Sequence, residues 1–205
     1  MRYRPGMEPA RLIVVAHNVR SLRNVGTLFR TCDGAGVDEL VLSGYTGTPP
    51  DRRIDKVALD AVEMVPWRHA PELEDLDAVL ADRFVILLDQ AAESVTLQEL
   101  VIPPGRDVVL VACEELRGAQ DDVLRHADVL LELPMRGGKT SLNVAMAAGI
   151  AMYSIADQLW STPPSDLTSR QVRPPVRDGV LTRGVTFGEE RSAPLPEARL
   201  GTKLG

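Results

Sequence analysis

Two stretches of this chain have residue types and spacing that could do chemistry. The first runs from Asn24 to Arg30 and sets an amide and a guanidinium on one short helical pattern. Val25, Leu28, Phe29 and Cys32 recur at i, i+3, i+4 and i+7, which predicts a helix over 25–34 with one apolar face. Asn24 stands where a side-chain oxygen would accept a free N–H of the first turn. Gly34 or Gly36 would end the helix. Arg30 leaves its flank, where its positive charge could orient an anion or a hydroxyl. Read as plain structure, Asn24 is only a cap and Arg30 only a surface charge.

The second stretch is the turn Met-Arg-Gly-Gly-Lys-Thr (135–140), followed by a helical pattern over 141–157 that opens with Ser141 and Asn143. That pattern is apolar on every side, which predicts a helix buried all round. A strand, a glycine-rich turn and a buried helix start gather backbone N–H groups at the C-terminal edge of a sheet, where open α/β sheets bind ligands. The turn departs from the pattern of a phosphate-binding loop. The glycine that pattern needs five residues before Gly138 is Leu133, and Pro134 supplies no N–H. Nor does a GxGxxG follow the first strand pattern.

The elements that must position these groups alternate along the chain. Residues 11–19, 38–45, 84–89, 107–113 and 129–134 are short runs rich in Val, Leu and Ile, as strands buried on both faces are. Helical patterns cover 25–34, 73–82, 120–127 and 141–157. The expected fold is α/β, an open and mostly parallel sheet flanked by helices. From Ser161 the regular pattern gives way to Pro, Ser and Arg, so the expected division is a domain over 1–160 and a partly disordered tail over 161–205.

Composition narrows the class. The chain has 205 residues, 44% hydrophobic and 25% charged, and the formal net charge is −6. The longest apolar run, Leu142 to Ala156, is shorter than the roughly 20 residues of a spanning helix. No secretory signal is visible, so the expected location is cytoplasmic and no membrane association is expected. Cys32 and Cys113 are expected to be buried reduced thiols. The histidines and cysteines have no metal-ligand spacing, and no metal is expected. Charge divides by region into +5 over 1–30, −13 over 31–160 and +2 over 161–205. The acidic body argues against polyanion binding over the whole surface, and leaves room for a local basic groove lined by Arg20, Arg23 and Arg30.

Three segments in order resemble the SpoU/TrmH class of the SPOUT RNA methyltransferases. Asn24, Gly26 and Arg30 are similar to the first motif, Glu115 and Gly118 to the second, and Leu133 to Tyr153, with Ser-Leu-Asn-Val after the glycine loop, to the third. Residues 55–67 resemble the connecting segment. The resemblance covers about residues 11–160. It implies a C-terminal trefoil knot over about 107–160, S-adenosyl-L-methionine as methyl donor, and a homodimer whose site the partner completes. It implies methylation of a ribose 2′-hydroxyl in RNA, with tRNA expected before rRNA and no role for DNA.

Carried over by the resemblance, Arg30 helps activate the hydroxyl and Asn24 holds Arg30 or the substrate. Glu115, Ser141 and Asn143 line the site. The cofactor is held mainly by backbone groups at Cys113, Gly118, Leu133 and Leu142, with Leu88 beside them. Cys113 stands where the family usually has glycine. No histidine stands in the three motifs, and an arginine stays protonated. The expected role of Arg30 is therefore to orient the hydroxyl and stabilise the developing alkoxide, with Glu115 carrying the proton away or fixing Arg30. Arg20 and Arg23 join Arg30 as expected RNA contacts, as do the ends 1–23 and 161–191. The alternatives are a non-catalytic RNA-binding protein on the same fold and a nucleotide hydrolase using the Gly-Gly-Lys-Thr turn.

Overall fold

The computed structural model describes residues 10–114 and 119–160, and beyond them only the pairing of Val176–Arg177 with Val180–Leu181. The chain divides into two units, Met1–Ser161 and Thr162–Gly205. In the second, β8 (Val176–Arg177) and β9 (Val180–Leu181) form a small antiparallel ladder.

The first unit is a seven-stranded sheet. Its strands are β1 (Leu12–His17), β2 (Glu39–Ser43), β3 (Trp67–Ala70), β4 (Phe84–Leu88), β5 (Val95–Thr96), β6 (Val108–Cys113) and β7 (Val129–Glu132). Their order is β3-β2-β1-β6-β4-β7-β5, and every pairing is parallel. All six residues of β1 and of β6 are buried, as central strands covered on both faces must be. Two strands enter between others: β6 between β1 and β4, and β7 between β4 and β5.

The two faces carry separate cores. On one, Leu12, Val14, Ala16, Leu110 and Ala112 pack against α1 (Leu22–Ala35), α2 (Arg52–Ala58), α3 (Ala61–Met64) and α6 (Val144–Leu159). On the other, Ile13, Val15, Val109, Val111 and Cys113 pack against α4 (Leu73–Leu80) and α5 (Asp121–Leu124). The alternation follows from the two-residue period of a strand.

In α1, Val25, Leu28, Phe29 and Cys32 are fully buried, the face the spacing predicts, and Phe29 meets Trp67 edge-on at 6.1 Å. Gly36, with φ +71°, ends the helix. The start differs from expectation. Ser21 is the cap, accepting the backbone N–H of Asn24, so Asn24 lies inside the first turn with its side chain released from capping. Gly26 sets how closely α1 and α2 pack, because a Cβ there would lie 2.7 Å from the Ile54 carbonyl.

Other departures have local causes. The pattern over 120–127 gives only the single turn of α5. Helices α2 and α3 and strands β3 and β5 lie where no periodic pattern was legible, since charged or polar residues interrupt the first three and β5 has only two residues. The late helix begins at Val144, with Asn143 as its cap and Ser141 and Leu142 before it. It is not buried all round. Met146, Ile150 and Tyr153 are 58%, 45% and 55% exposed, one stripe facing away from the sheet.

Candidate functional site

The parallel sheet points all its strand ends one way, and the motif residues gather there. The side chain of Asn143 works in two directions. Its Oδ1 accepts the N–H groups of Ala145 and Met146, capping α6, and its Nδ2 donates to Asn24 Oδ1 at 3.0 Å. Cap geometry settles which end of the amide is oxygen, so the donor to Asn24 is fixed as well. Two residues 119 positions apart are joined at the heads of α1 and α6. Helix α6 lies against α1, with Gly149 facing Thr31 and Gly34 facing the Tyr153 hydroxyl, and the small residues permit that approach.

Arg23 and Arg30 are both exposed and seven residues apart on α1, hence on nearly the same face. Arg20 is not part of that face. It projects from the β1–α1 loop, where its Nε lies 3.4 Å from the Tyr45 hydroxyl and 3.5 Å from Glu114 Oε2. The three arginines thus stand on two elements, Arg20 in the β1–α1 loop and Arg23 and Arg30 on α1. Ser141 and Leu142 are exposed just before α6. Glu115 and Gly118 lie outside the described residues.

The residues expected at the cofactor are on neighbouring strands. Leu88 ends β4, Cys113 ends β6, and Leu133 follows β7, and these three strands adjoin in the order β6-β4-β7. Beside them an open cleft of about 700 Å³ is lined by Gln90, Ala91, Glu132, Pro134, Met135 and Lys139, among others. Asp89 fastens its rim, accepting the N–H of Gln90 and that of Ala119. The Cys113 side chain turns into the second core, where burial pushes the thiol up to about 12. Its backbone faces the edge while its sulfur stays protonated and unreactive.

The Gly-Gly-Lys-Thr turn is built unlike a phosphate cradle. Gly137 and Gly138 have open space where a Cβ would be, Lys139 and Thr140 are exposed, and the helix starts only at Val144. A helix that begins four residues past Thr140 does not aim its first N–H groups into that turn.

A polar cluster that the sequence reading missed sits at the same edge, on the α4/α5 face. His17 ends β1 and is buried; Asn18 Nδ2 donates to its Nε2 at 2.9 Å. Asn18 Oδ1 accepts the Tyr45 N–H, which fixes the amide orientation. The ring is therefore the Nδ1–H tautomer, donating to Ser43 Oγ at 3.0 Å. Burial lowers the His17 pKa, against the opposing pull of Asp122 and Glu114. Glu114 is itself 6% exposed, and its Oε2 has no hydrogen-bond partner. A histidine closing a wholly apolar strand, and a carboxylate directly before Glu115, were the signals available. Among the described residues no cluster of His, Cys, Asp or Glu could hold a metal ion, and no helix is long and apolar enough to cross a membrane.

With this geometry in view, comparison with known proteins is decisive. The sequence profile of the SpoU rRNA Methylase family matches residues 11–153. The chain belongs to that family. It is 30% identical over 148 residues to the 23S rRNA (guanosine-2'-O-)-methyltransferase RlmB of Pseudomonas aeruginosa, covering 72% of this chain and 59% of that protein. The chain thus spans about three-fifths of the length of the curated relatives it matches. An AdoMet-bound rRNA methyltransferase from Sinorhizobium meliloti superposes with a TM-score of 0.67 at 27% identity, over 77% of this chain and 61% of that one. A structure reported for 2-OH methylation of C/U34 on tRNA superposes with a TM-score of 0.65 at 25% identity, over 76% of this chain and all of that one.

Proposed function

We propose that this chain is an S-adenosylmethionine-dependent RNA methyltransferase that modifies a ribose 2′-hydroxyl in tRNA. The observation that carries this reading is the Asn24–Asn143 hydrogen bond, which unites the first and third motifs beside the cleft at the strand ends. The cleft suits the donor. Pro134 and Met135 offer apolar surface, Glu132 a carboxylate, and the loops after β4 and β7 backbone groups. When bound, the donor supplies an electrophilic methyl group on a positively charged sulfonium.

The chain's own residues have to align and polarise the hydroxyl. Arg30, exposed and permanently charged, stabilises oxygen as it becomes an alkoxide. Asn24 and Asn143 fix the heads of α1 and α6 relative to each other, which sets the helix that carries Arg30 against the third-motif segment. Glu115 takes the proton or braces Arg30. The backbone at Leu88, Cys113, Gly118, Leu133 and Leu142 holds the donor, in a C-terminal part threaded as a trefoil knot. The double insertion of β6 and β7 between earlier strands supports that threading.

The assembly proposed is a homodimer. Met146, Ile150 and Tyr153 form an exposed apolar stripe on α6, and Arg30 is on the helix packed beside it. A second copy seated on the stripe would meet Arg30 at its margin. Ile150→Glu is expected to give monomers by sedimentation, with the far-ultraviolet spectrum unchanged.

The deciding experiment supplies methyl-labelled S-adenosylmethionine to separated tRNA and rRNA. Label is expected in tRNA, recovered as 2′-O-methyl nucleotides. Arg30→Ala is expected to lose about a hundredfold or more of the rate while calorimetry still shows cofactor binding. Label in rRNA alone would move the target toward that of the RlmB relatives. RNA binding without cofactor binding would leave a non-catalytic RNA-binding protein.

A further inference from the structure

We propose that Tyr45, with Arg20 across its ring, is a stacking subsite for an unpaired nucleobase of the RNA. The inference rests on the RNA reading above and adds a contact to it. Tyr45 is 51% exposed, an aromatic left open to solvent in the β2–α2 loop. The Arg20 guanidinium carbon lies 5.5 Å from its ring centroid, and Arg20 Nε donates to its hydroxyl. A flat aromatic face beside a planar cation is the surface on which single-stranded bases stack.

The subsite is set in advance of any ligand. Val19 N–H donates to Thr46 Oγ1 at 3.0 Å, Asn18 N–H to the Ser43 carbonyl at 3.1 Å, and Tyr45 N–H to Asn18 Oδ1 at 3.1 Å. These bonds lace the β1–α1 loop to the β2–α2 loop. Asn18 and Gly44 both take positive φ to allow it, and a Cβ on Gly44 would collide with Asn18 Oδ1. A ligand meeting a laced pair of loops does not have to order them.

Glu114 gives the second, independent observation. It is 6% exposed, with Oε2 lacking a hydrogen-bond partner and aimed at Arg20 Nε, 3.5 Å away. A buried carboxylate behind the guanidinium offsets its charge. Arg20 is thereby suited to present a planar face and donors to a base, rather than charge to a phosphate. The subsite lies on the loop that leads into α1, with Arg20 four residues before Asn24.

The test measures binding of fluorescein-labelled bulk tRNA and fragmented rRNA by anisotropy across a salt series, with calorimetry for S-adenosylmethionine. Tyr45→Ala is expected to weaken RNA binding about tenfold, with an unchanged salt slope and unchanged cofactor affinity. Tyr45→Trp is expected to restore it, since stacking survives that exchange. Arg23→Ala serves as the contrast and is expected to lower the salt slope. Wild-type affinity in Tyr45→Ala, or a loss that Tyr45→Trp fails to restore, overturns the subsite and leaves the methyltransferase reading standing. A wild-type protein that binds neither RNA overturns both.

Discussion

The two edges of the parallel sheet are both polar, but their polar groups are spent differently. At the N-terminal edge, aspartates close the strand starts. Asp38 Oδ2 accepts the Leu12 N–H at 2.7 Å, Asp107 Oδ1 the Arg11 N–H at 3.0 Å, and Asp128 Oδ2 the Val85 N–H at 2.9 Å. Each carboxylate answers a backbone donor that a strand start would leave unpaired. At the C-terminal edge the polar groups bind one another across loops and leave capacity over, as with Glu114 Oε2. One edge completes the fold, and the other keeps polar capacity that the fold does not use. The separation follows from parallel strands, whose ends all point the same way.

The comparison breaks most visibly at Asn143. Asn143→Asp keeps an oxygen for the α6 cap but loses the donor to Asn24 Oδ1. Methyl transfer is expected to fall about tenfold or more as the heads of α1 and α6 lose their register, with the melting temperature lowered only by the lost hydrogen bond, worth about 1 kcal/mol. Full activity in a protein of normal stability would detach the pair from function.

Asp38→Ala makes the opposite claim at the other edge. It strands the Leu12 N–H, and urea unfolding is expected to show a loss of about 1–3 kcal/mol. The rate per folded molecule should not change; a rate defect without a stability defect would blur the two edges.

His17 sharpens the comparison through pH. Its folded pKa is lowered from 6.5, first by burial, so the unfolded chain takes the proton before the folded one. Its contribution is full above about 6.5 and is lost as pH falls through the folded value. The urea midpoint should drop on acidification through that window, and His17→Gln should remove that part of the slope. A midpoint that rises as pH falls from 7 to 6 would reverse the sign. Smallest of all is Arg53→Ala, in the first turn of α2. It removes an exposed ion pair to Asp51, two residues away, and should leave the unfolding midpoint within error.

Legibility in the sequence followed how far the apolar pattern of each element ran unbroken. Strands β1, β2, β4, β6 and β7 and helices α1 and α4 showed themselves because apolar residues repeat within each. Helices α2 and α3 and strand β3 did not, since charged or polar residues interrupt them, as Arg68 and His69 do in β3, and β5 has only two residues. Helix α6 misled for a different reason. An apolar residue at every position cannot say which side meets the sheet, and Met146, Ile150 and Tyr153 proved to be the side left open. At the site, Asn24 and Arg30 were legible from the first motif and Asn143 from the third, but Asn24 was read as a cap. Ser21 does that work, and Asn24 is thereby free to meet Asn143.

By itself, the sequence determined the α/β class, the apolar face of α1 and the three motifs, because periodicity and short-range spacing are written within a few consecutive residues. Only the tertiary structure decided that Asn24 meets Asn143, that the Cys113 thiol turns inward, and that Arg20 leaves the Arg23–Arg30 face for Tyr45 and Glu114. Those pairings join residues brought together by strand order and loop closure, and chain proximity carries no record of either.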